Sequence, residues 1–155
     1  MAMHHEVTFE AEICEHLAAN GWEYSTNSKG YDIKRALFPA DVFAWLEATA
    51  PAELAKKVKP TASPIAQERA KEHLLDRLVT VLDQPQGGSL KVLRDGFKDT
   101  PADFQRMMQK RPETLDNAVV NARYAANRLR VMRQVRYSSK HNNEIDLVLF
   151  CNGIP

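Results

Sequence analysis

Apolar residues recur every three or four positions through most of the chain and every two positions near its end. The spacing of Phe9, Ile13 and Leu17, followed by the helix-stopping pair Asn20-Gly21, predicts an amphipathic helix. The residues that follow it predict a short strand at 22–24 and then a polar loop. The first part of the chain is therefore a helix leading into a strand.

Several later segments share an opening Pro, Ser or Asp and then a helical apolar period. Such residues are typical of helix N-termini. Helices are predicted from a cap at Asp41, over 51–58, over 65–83 with Ser63 as N-cap, from about 100, and over 112–127. A short strand is also predicted over 90–93.

From residue 128 the period changes from 3.6 to 2, which is typical of strands. Residues 128–137 and 144–151 predict two strands joined by a short polar loop, and such neighbours pair antiparallel. One face of the first strand carries Leu129, Val131, Arg133, Val135 and Tyr137. The fold class is therefore α/β (α+β), with helices packed on a small mixed sheet.

Composition narrows the class of protein further. The chain has 155 residues, 44% of them hydrophobic, which suits one globular domain. The formal net charge of +1 gives no global attraction to nucleic acid, so DNA binding requires a local cluster. No apolar run reaches the roughly 18 residues of a membrane span, and no signal-peptide core is present. Cys14 and Cys151 lie far apart, so we expect free thiols and a cytoplasmic location.

The second predicted strand contains an unexpected carboxylate, Asp146, between Ile145 and Leu147. Asp is depleted from strands, and a carboxylate among apolar residues is costly unless it is paired or binds a metal. A simple strand-capping role is the alternative. Asn152-Gly153 then predicts a two-residue hairpin turn. Because the sequence stops two residues later, we expect it to contain only the first half of a site.

The final run, N-E-I-D-L-V-L-F-C-N-G-I-P, resembles the first half of the nuclease motif of the R (restriction and motor) subunit of type I restriction enzymes. Weaker similarity to these R subunits extends over most of the chain. These subunits belong to the PD-(D/E)xK nuclease class, in which a strand Asp is followed, across a hairpin, by an acid-x-Lys. The resemblance implies that residues 1–155 are a single domain. That domain would be the N-terminal portion of a restriction-endonuclease-like nuclease core, cut off at the hairpin turn after the Asp146 strand.

The resemblance also implies a chemistry and partners. The parent would be a type I site-specific deoxyribonuclease that cuts double-stranded DNA with Mg²⁺, with Asp146 as catalytic metal ligand and Glu10 as a helix glutamate near the metal. A solvated first-turn acid is the other interpretation of Glu10. ATP would serve a separate motor domain of the parent, since no ATP-binding motif occurs here. Implied partners are DNA and the modification and specificity subunits, and the chain by itself is expected to be inactive.

One basic stripe accompanies the first of the two strands and is the candidate DNA-binding surface. Such side chains contact phosphates without reading sequence. The alternative is that they pair with acids elsewhere in the fold. Because Arg133 falls on the apolar face, it should lie against a carboxylate or close to the site. The candidate residues are Arg128, Arg130, Arg133, Gln134, Arg136 and Lys140.

Two other functions remain open at this point. One is a stand-alone PD-(D/E)xK nuclease or resolvase-like protein, distinguished by whether helicase motifs follow in the native gene. The other is a non-catalytic helical interaction module in which Asp146 only caps a strand. In either case, the apolar strand at 144–151 presents an edge through which the chain can self-associate.

Overall fold

A computed structural model describes residues 2–155, with side chains described from residue 5 onwards. Six helices and five strands follow one another along the chain. The elements are α1 (Ala2–Ala19), β1 (Glu23–Ser25), α2 (Pro39–Thr49), α3 (Pro51–Lys57), α4 (Pro64–Leu82), α5 (Ser89–Asp95), β2 (Phe97–Asp99), β3 (Ala102–Phe104), α6 (Ala118–Ala126), β4 (Leu129–Arg136) and β5 (Glu144–Cys151). The predicted α+β class is confirmed.

Local sequence signals determine where the central helices begin. The Ser63 hydroxyl accepts a hydrogen bond from the Ala66 amide at 3.2 Å, as predicted for the N-cap of α4. Pro39 and Pro51 occupy the first turns of α2 and α3, where a missing N–H costs nothing. Asp41 is not the cap of α2; it lies inside the first turn and is buried.

The main core lies between α2, α4, α5 and the hairpin of β2 and β3. Trp45, Leu46 and Leu78 are completely buried there. The Trp45 indole N–H donates to the Arg106 carbonyl at 3.1 Å, so this ring is buried without an unpaired donor. We name this part of the molecule the helical body.

The second part is a three-stranded sheet in the order β1-β4-β5. β1 runs parallel to β4, and β4 pairs antiparallel with β5, from Leu129 opposite Cys151 to Arg136 opposite Glu144. The predicted antiparallel pairing of the last two strands is confirmed. A smaller apolar cluster on one face joins Phe38, Met132, Val135 and Phe150.

The predicted alternation of β4 is wrong beyond Arg133. Gln134 has φ of 52°, in the left-handed region that is uncommon for a non-glycine residue. The strand therefore rotates at Gln134. Val135 consequently packs with Met132 in the smaller cluster instead of lying on the face of Val131.

Two segments between residues 89 and 104 have the opposite secondary structure to the prediction. Residues predicted as a strand form α5, and the helix predicted from about residue 100 is replaced by the β2–β3 hairpin. Gly96 ends α5 with φ of 70°, and a Cβ there would collide with the Phe104 carbonyl. The rings of Phe97 and Phe104 then pack 5.1 Å apart across the hairpin. Tertiary packing decides these short apolar runs, whose period is ambiguous.

The last predicted helix is shorter than expected. It begins at Ala118, where the Asn117 side chain accepts hydrogen bonds from two amides of the first turn. Residues 112–117 are irregular.

The Asn152-Gly153 turn is confirmed, and it is anchored in the helical body. Both residues have positive φ, 50° and 83°, and the backbone of Cys151 bonds to that of Ile154 across the turn. The buried Asn152 side chain donates to the Met107 carbonyl at 2.9 Å and accepts from the Arg128 amide at 2.7 Å. This anchor fixes the end of β5 against the helices.

Candidate active site

Glu10 is a buried acid that contacts the sheet. Helix α1 packs on β1 and β4, and this placement leaves the Glu10 residue only 6% exposed. Its Oε2 lies 3.0 Å from an Arg133 guanidinium nitrogen and accepts a hydrogen bond from the Gln134 side-chain amide at 3.3 Å. The solvated first-turn interpretation of Glu10 is therefore excluded by its burial.

Arg133 lies against a carboxylate, as predicted from its position on the apolar face. A hydrogen bond with Tyr24, together with the one to Glu10, raises the pKa of Arg133 above its ordinary value. Cys14 lies in the same environment and is completely buried; burial raises the pKa of its thiol. Arg133 therefore links α1 to β4 inside the fold.

Asp146 lies on β5, the edge strand next to β4. The Arg133–Leu147 and Val135–Ile145 pairs flank it, so Asp146 faces Gln134 in the register. Its side chain is exposed and forms no hydrogen bond or ion pair with any residue the structure describes. Asp146 is thus an exposed acid on the edge strand, whereas Glu10 is a buried acid on α1.

These two acids fit a hard divalent cation only in part. Mg²⁺ is held by one or two carboxylates, with waters and substrate phosphates completing its shell. Asp146 supplies a free carboxylate of this kind, whereas Oε2 of Glu10 is already paired. Within residues 5–155, no three His, Cys, Asp or Glu side chains gather into a metal-binding group. Asp146 is therefore the residue available as a first ligand.

A cleft of about 540 Å³ lies beside Gln134 and Arg133. It separates the loop after β1 from the ends of β4 and β5. The Tyr31 hydroxyl crosses to donate a hydrogen bond to the Arg136 carbonyl at 2.8 Å. The cleft therefore has a fixed wall on the loop side, and its other wall includes residues of the basic stripe.

The basic stripe divides into paired and exposed members. Arg130 binds Asp41 through two hydrogen bonds of 2.7 and 3.0 Å, and its guanidinium lies 4.6 Å from the ring centre of Phe38. The hydrogen bond that Arg130 donates to Asp41 raises the pKa of Arg130. Arg128 lies 3.6 Å from both Asp41 and Glu23. These two arginines join the sheet to α2, and a DNA-binding role for them stays a prediction.

The remaining members lie nearer the cleft. Arg136 is exposed and pairs with Glu144 at 3.4 Å, and Lys140 is exposed in the loop between β4 and β5. Such surface pairs open readily when a phosphate competes, because they contribute little free energy. Arg136 and Lys140 are thus exposed cations that a nucleic acid could reach, and the Arg128 side chain is also 41% exposed.

Sequence reasoning missed the role of Asp41. It interpreted this acid as a helix cap, yet the carboxylate is 1% exposed and holds Arg130. The available signal was an acid flanked by Pro39 and by the apolar run from Val42, a setting in which a carboxylate needs a partner.

Comparison with known proteins identifies the class to which the chain belongs, a family of type I restriction enzyme proteins. The family model described as the type I restriction enzyme R protein N terminus matches residues 3–155. The chain belongs to this family. No curated protein matches the chain, and no solved structure does. None of the helices in the described part is long and apolar enough to cross a membrane.

Proposed function

We propose that this chain is the N-terminal part of the nuclease region of a type I restriction R subunit, an incomplete restriction-endonuclease-like core. The substrate is double-stranded DNA and the cofactor is Mg²⁺. The observation that supports this most directly is Asp146, an exposed carboxylate without a partner among the described residues, one strand away from Glu10. Family membership supports the same role.

A bound divalent cation would activate water and neutralise charge on the phosphodiester in the transition state. Asp146 holds the cation directly in this proposal. Glu10, buried on α1 and paired with Arg133, would be the second acid of the site. Because Mg²⁺ prefers oxygen ligands, carboxylates suit it better than they suit softer metals.

The DNA backbone would approach the side of the sheet at which the cleft opens. Arg136 and Lys140 contact phosphates there, with Gln134 in the cleft wall. These contacts supply affinity that falls as salt rises and that carries no sequence information. Sequence recognition then belongs to the specificity subunit, and methylation to the modification subunit. ATP is used in a separate motor domain of the parent protein, in the cytoplasm.

The test is Asp146→Asn in the full-length R subunit, assembled with its partner subunits. We expect double-strand cleavage to fall by at least about 100-fold while ATP hydrolysis is unchanged, because ligand and motor are separate sites. Asp116→Asn is the matched control, since Asp116 is also an exposed acid. Wild-type cleavage by a folded Asp146→Asn variant would exclude the proposal and favour a non-catalytic module.

The isolated chain gives a second test. Residues 147–155 contain no acid-x-Lys, the second half of the motif that the resemblance implies. We expect the 155 residues alone not to cleave plasmid DNA in Mg²⁺ or Mn²⁺. Nicking by rigorously purified protein that disappears in Asp146→Ala would contradict this expectation.

A further inference from the structure

We propose that a cleft on the helical body, lined by Arg94, Arg106 and Lys110, binds a phosphate of the DNA backbone. We name it the basic cleft. It shares no lining residue with the larger cleft beside Gln134. The inference rests on DNA as the substrate in the proposed function, and it adds a second contact surface that is independent of the metal site.

The lining of the basic cleft is positively charged. Three cations line it together with two uncharged side chains, Met108 and Gln109, and the lining includes no acid. Its volume is about 140 Å³. That is roughly the volume of five water molecules in the liquid, so the cleft suits a small anionic group better than a base or a nucleoside.

The three cations of the basic cleft keep their charge because no acid neutralises them. Within residues 5–155, Arg94, Arg106 and Lys110 form no ion pair with a carboxylate. The acid next to Arg94 in sequence, Asp95, is paired with Lys91 at 2.8 Å. The four arginines of the basic stripe, in contrast, all pair with acids. The basic cleft is therefore better prepared for an anion than the stripe is.

Arg106 is oriented by a neutral partner. Its Nη1 donates to Oε1 of Gln109 at 3.2 Å, and Nε2 of Gln109 donates to the Lys110 carbonyl at 3.0 Å. An amide oxygen fixes the guanidinium without cancelling its charge, as a carboxylate would. The remaining N–H donors of Arg106 are left for a phosphate, whose oxygens match the planar fork of a guanidinium.

The backbone that carries these side chains is fixed, although residues 105–110 form no helix or strand. The Arg106 carbonyl accepts from the Trp45 indole at 3.1 Å. The Gln109 N–H donates to the Asn127 side chain at 3.1 Å, and the Gln109 carbonyl accepts from it at 2.7 Å. A site that is already ordered loses less conformational entropy when a ligand binds.

The same segment is tied to the turn that ends β5. The Asn152 side chain donates to the Met107 carbonyl at 2.9 Å and to the Asn127 side chain at 3.0 Å. The basic cleft is therefore held in a fixed position relative to the strand that carries Asp146. A phosphate contact on the body would thus hold DNA in a defined position relative to that strand.

The shape of the positive surface favours a polymer over a single anion. Arg111 directly follows Lys110, is exposed, and forms no ion pair with any residue in the described part of the chain. The positive surface therefore continues beyond the cleft. Duplex DNA carries one negative charge per roughly 1.7 Å of its axis, so it can contact the cleft and this extension at once.

The first experiment measures binding of a short fluorescent DNA duplex to the 155-residue chain by anisotropy, in EDTA and at several salt concentrations. In Arg106→Gln we expect the dissociation constant to rise about tenfold, and the slope of its logarithm against that of salt to fall by about 1. Arg69→Gln is the charge-matched control, because Arg69 is exposed and unpaired among the described residues. It should leave both quantities unchanged.

A second variant tests the neutral partner. Gln109→Glu keeps the shape of the side chain but gives Arg106 an acid, so it should weaken duplex binding by a similar factor although all three cations remain. Gln105→Glu makes the same charge change at an exposed neighbour outside the basic cleft and should have little effect. Thermal unfolding of each variant, with midpoints near wild type, shows that the differences concern binding.

Two further ligands distinguish DNA from other anions. The Arg106 Nε–H signal in NMR spectra should shift with the duplex at much lower concentrations than with inorganic phosphate. Inorganic phosphate that binds as tightly as the duplex would show a free-anion site and overturn the assignment to DNA. Polyglutamate that binds as tightly, with the same loss in Arg106→Gln, would instead indicate an acidic protein and overturn it as well.

The outcomes separate this inference from the proposed function. If Arg106→Gln and Gln109→Glu bind the duplex like wild type while Asp146→Asn abolishes cleavage by the full-length subunit, the metal site stands and the basic cleft is overturned. If both variants weaken binding while Asp146→Asn cleaves normally, the basic cleft stands and the proposed metal ligand is wrong. Absence of duplex binding by the wild-type chain at low salt would also overturn the basic cleft.

Discussion

The helical body and the three-stranded sheet differ in whether their polar groups have hydrogen-bond partners. In the body, the Trp45 indole N–H donates to a carbonyl, and the Asn152 side-chain amide both donates and accepts a hydrogen bond, so these two buried groups are paired. In the sheet, Asp146 is free and the outer edge of β5 has no neighbouring strand within residues 2–155. The polar groups named in the body are used within the fold, whereas Asp146 and the outer edge of β5 are available to a ligand or to another strand.

This difference explains where the candidate chemistry lies. Both oxygens of the Asp41 carboxylate accept hydrogen bonds from Arg130, so Asp41 has no free oxygen for a cation. Asp146 keeps its full capacity for a ligand because the strand next to it leaves it exposed. The apolar body supplies stability, and the open sheet supplies the groups that can react.

The largest loss of stability should follow from a cavity in the core of the helical body. Trp45→Ala removes a fully buried ring and its hydrogen bond, and should lower the free energy of unfolding by about 3–5 kcal/mol. Chemical denaturation monitored by circular dichroism measures this. Tyr137→Ala is the control, because Tyr137 is 51% exposed and should change stability little. Equal losses of unfolding free energy in the two variants would show that the buried Trp45 ring does not stabilise the body more than an exposed ring does.

A smaller loss of stability is expected from a substitution at the junction between the helical body and the sheet. Asp41→Asn leaves the Arg130 guanidinium without its buried partner and should cost about 3 kcal/mol. Asp76→Asn is the matched comparison, since Asp76 also pairs with an arginine, Arg35, but is 63% exposed. Its unfolding midpoint should stay close to wild type. A midpoint for Asp41→Asn that matches Asp76→Asn would show that the junction is not held by this pair.

A weaker effect should appear at the open edge. The backbone of Cys151 bonds outward to Ile154, so strand alternation directs the N–H and C=O groups of Ile145, Leu147 and Leu149 to the same outer side. Leu149 and Ile145 are also 51% and 45% exposed. We therefore expect weak self-association with a second copy through β5.

Light scattering across a concentration series measures this association. The average mass should rise toward twice the monomer mass in wild type and remain monomeric in Leu149→Lys, which places a charge on the edge. A monomer at every concentration, with rapid hydrogen exchange of the edge amides, would exclude the association.

The smallest effect concerns Cys151 at the end of β5. Burial raises the pKa of its thiol from 9.0 to about 11, so the fold favours the neutral form. This contribution to stability is fully present below pH 9 and is lost as pH rises through about 11. At pH 8 the thiolate fraction should be about 100-fold lower than in urea-unfolded protein. Iodoacetamide labelling followed by mass spectrometry tests this; equal labelling rates in the two states would contradict it.

The sequence by itself determined the last strand and its turn. The apolar run gives β5 its bounds, and Asn152-Gly153 supplies the two positive φ values that the turn requires. Ser63 as the cap of α4 and the antiparallel partnership of β4 with β5 were also predictable. All of these depend on residues that are near one another in the chain. The position of Asp146, a carboxylate within an apolar strand, could be recognised from the sequence for the same reason.

Only the tertiary structure decided which polar groups meet. Asp41 and Arg130 are 89 residues apart in sequence, and Glu10 and Arg133 are 123 apart. No local period encodes such pairs, because they depend on how α1 and α2 dock on the sheet. The left-handed conformation of Gln134 could not be predicted from the sequence for the same reason. The hairpin at Phe97 and Phe104 also replaced a predicted helix because burial of two rings outweighed a weak local preference.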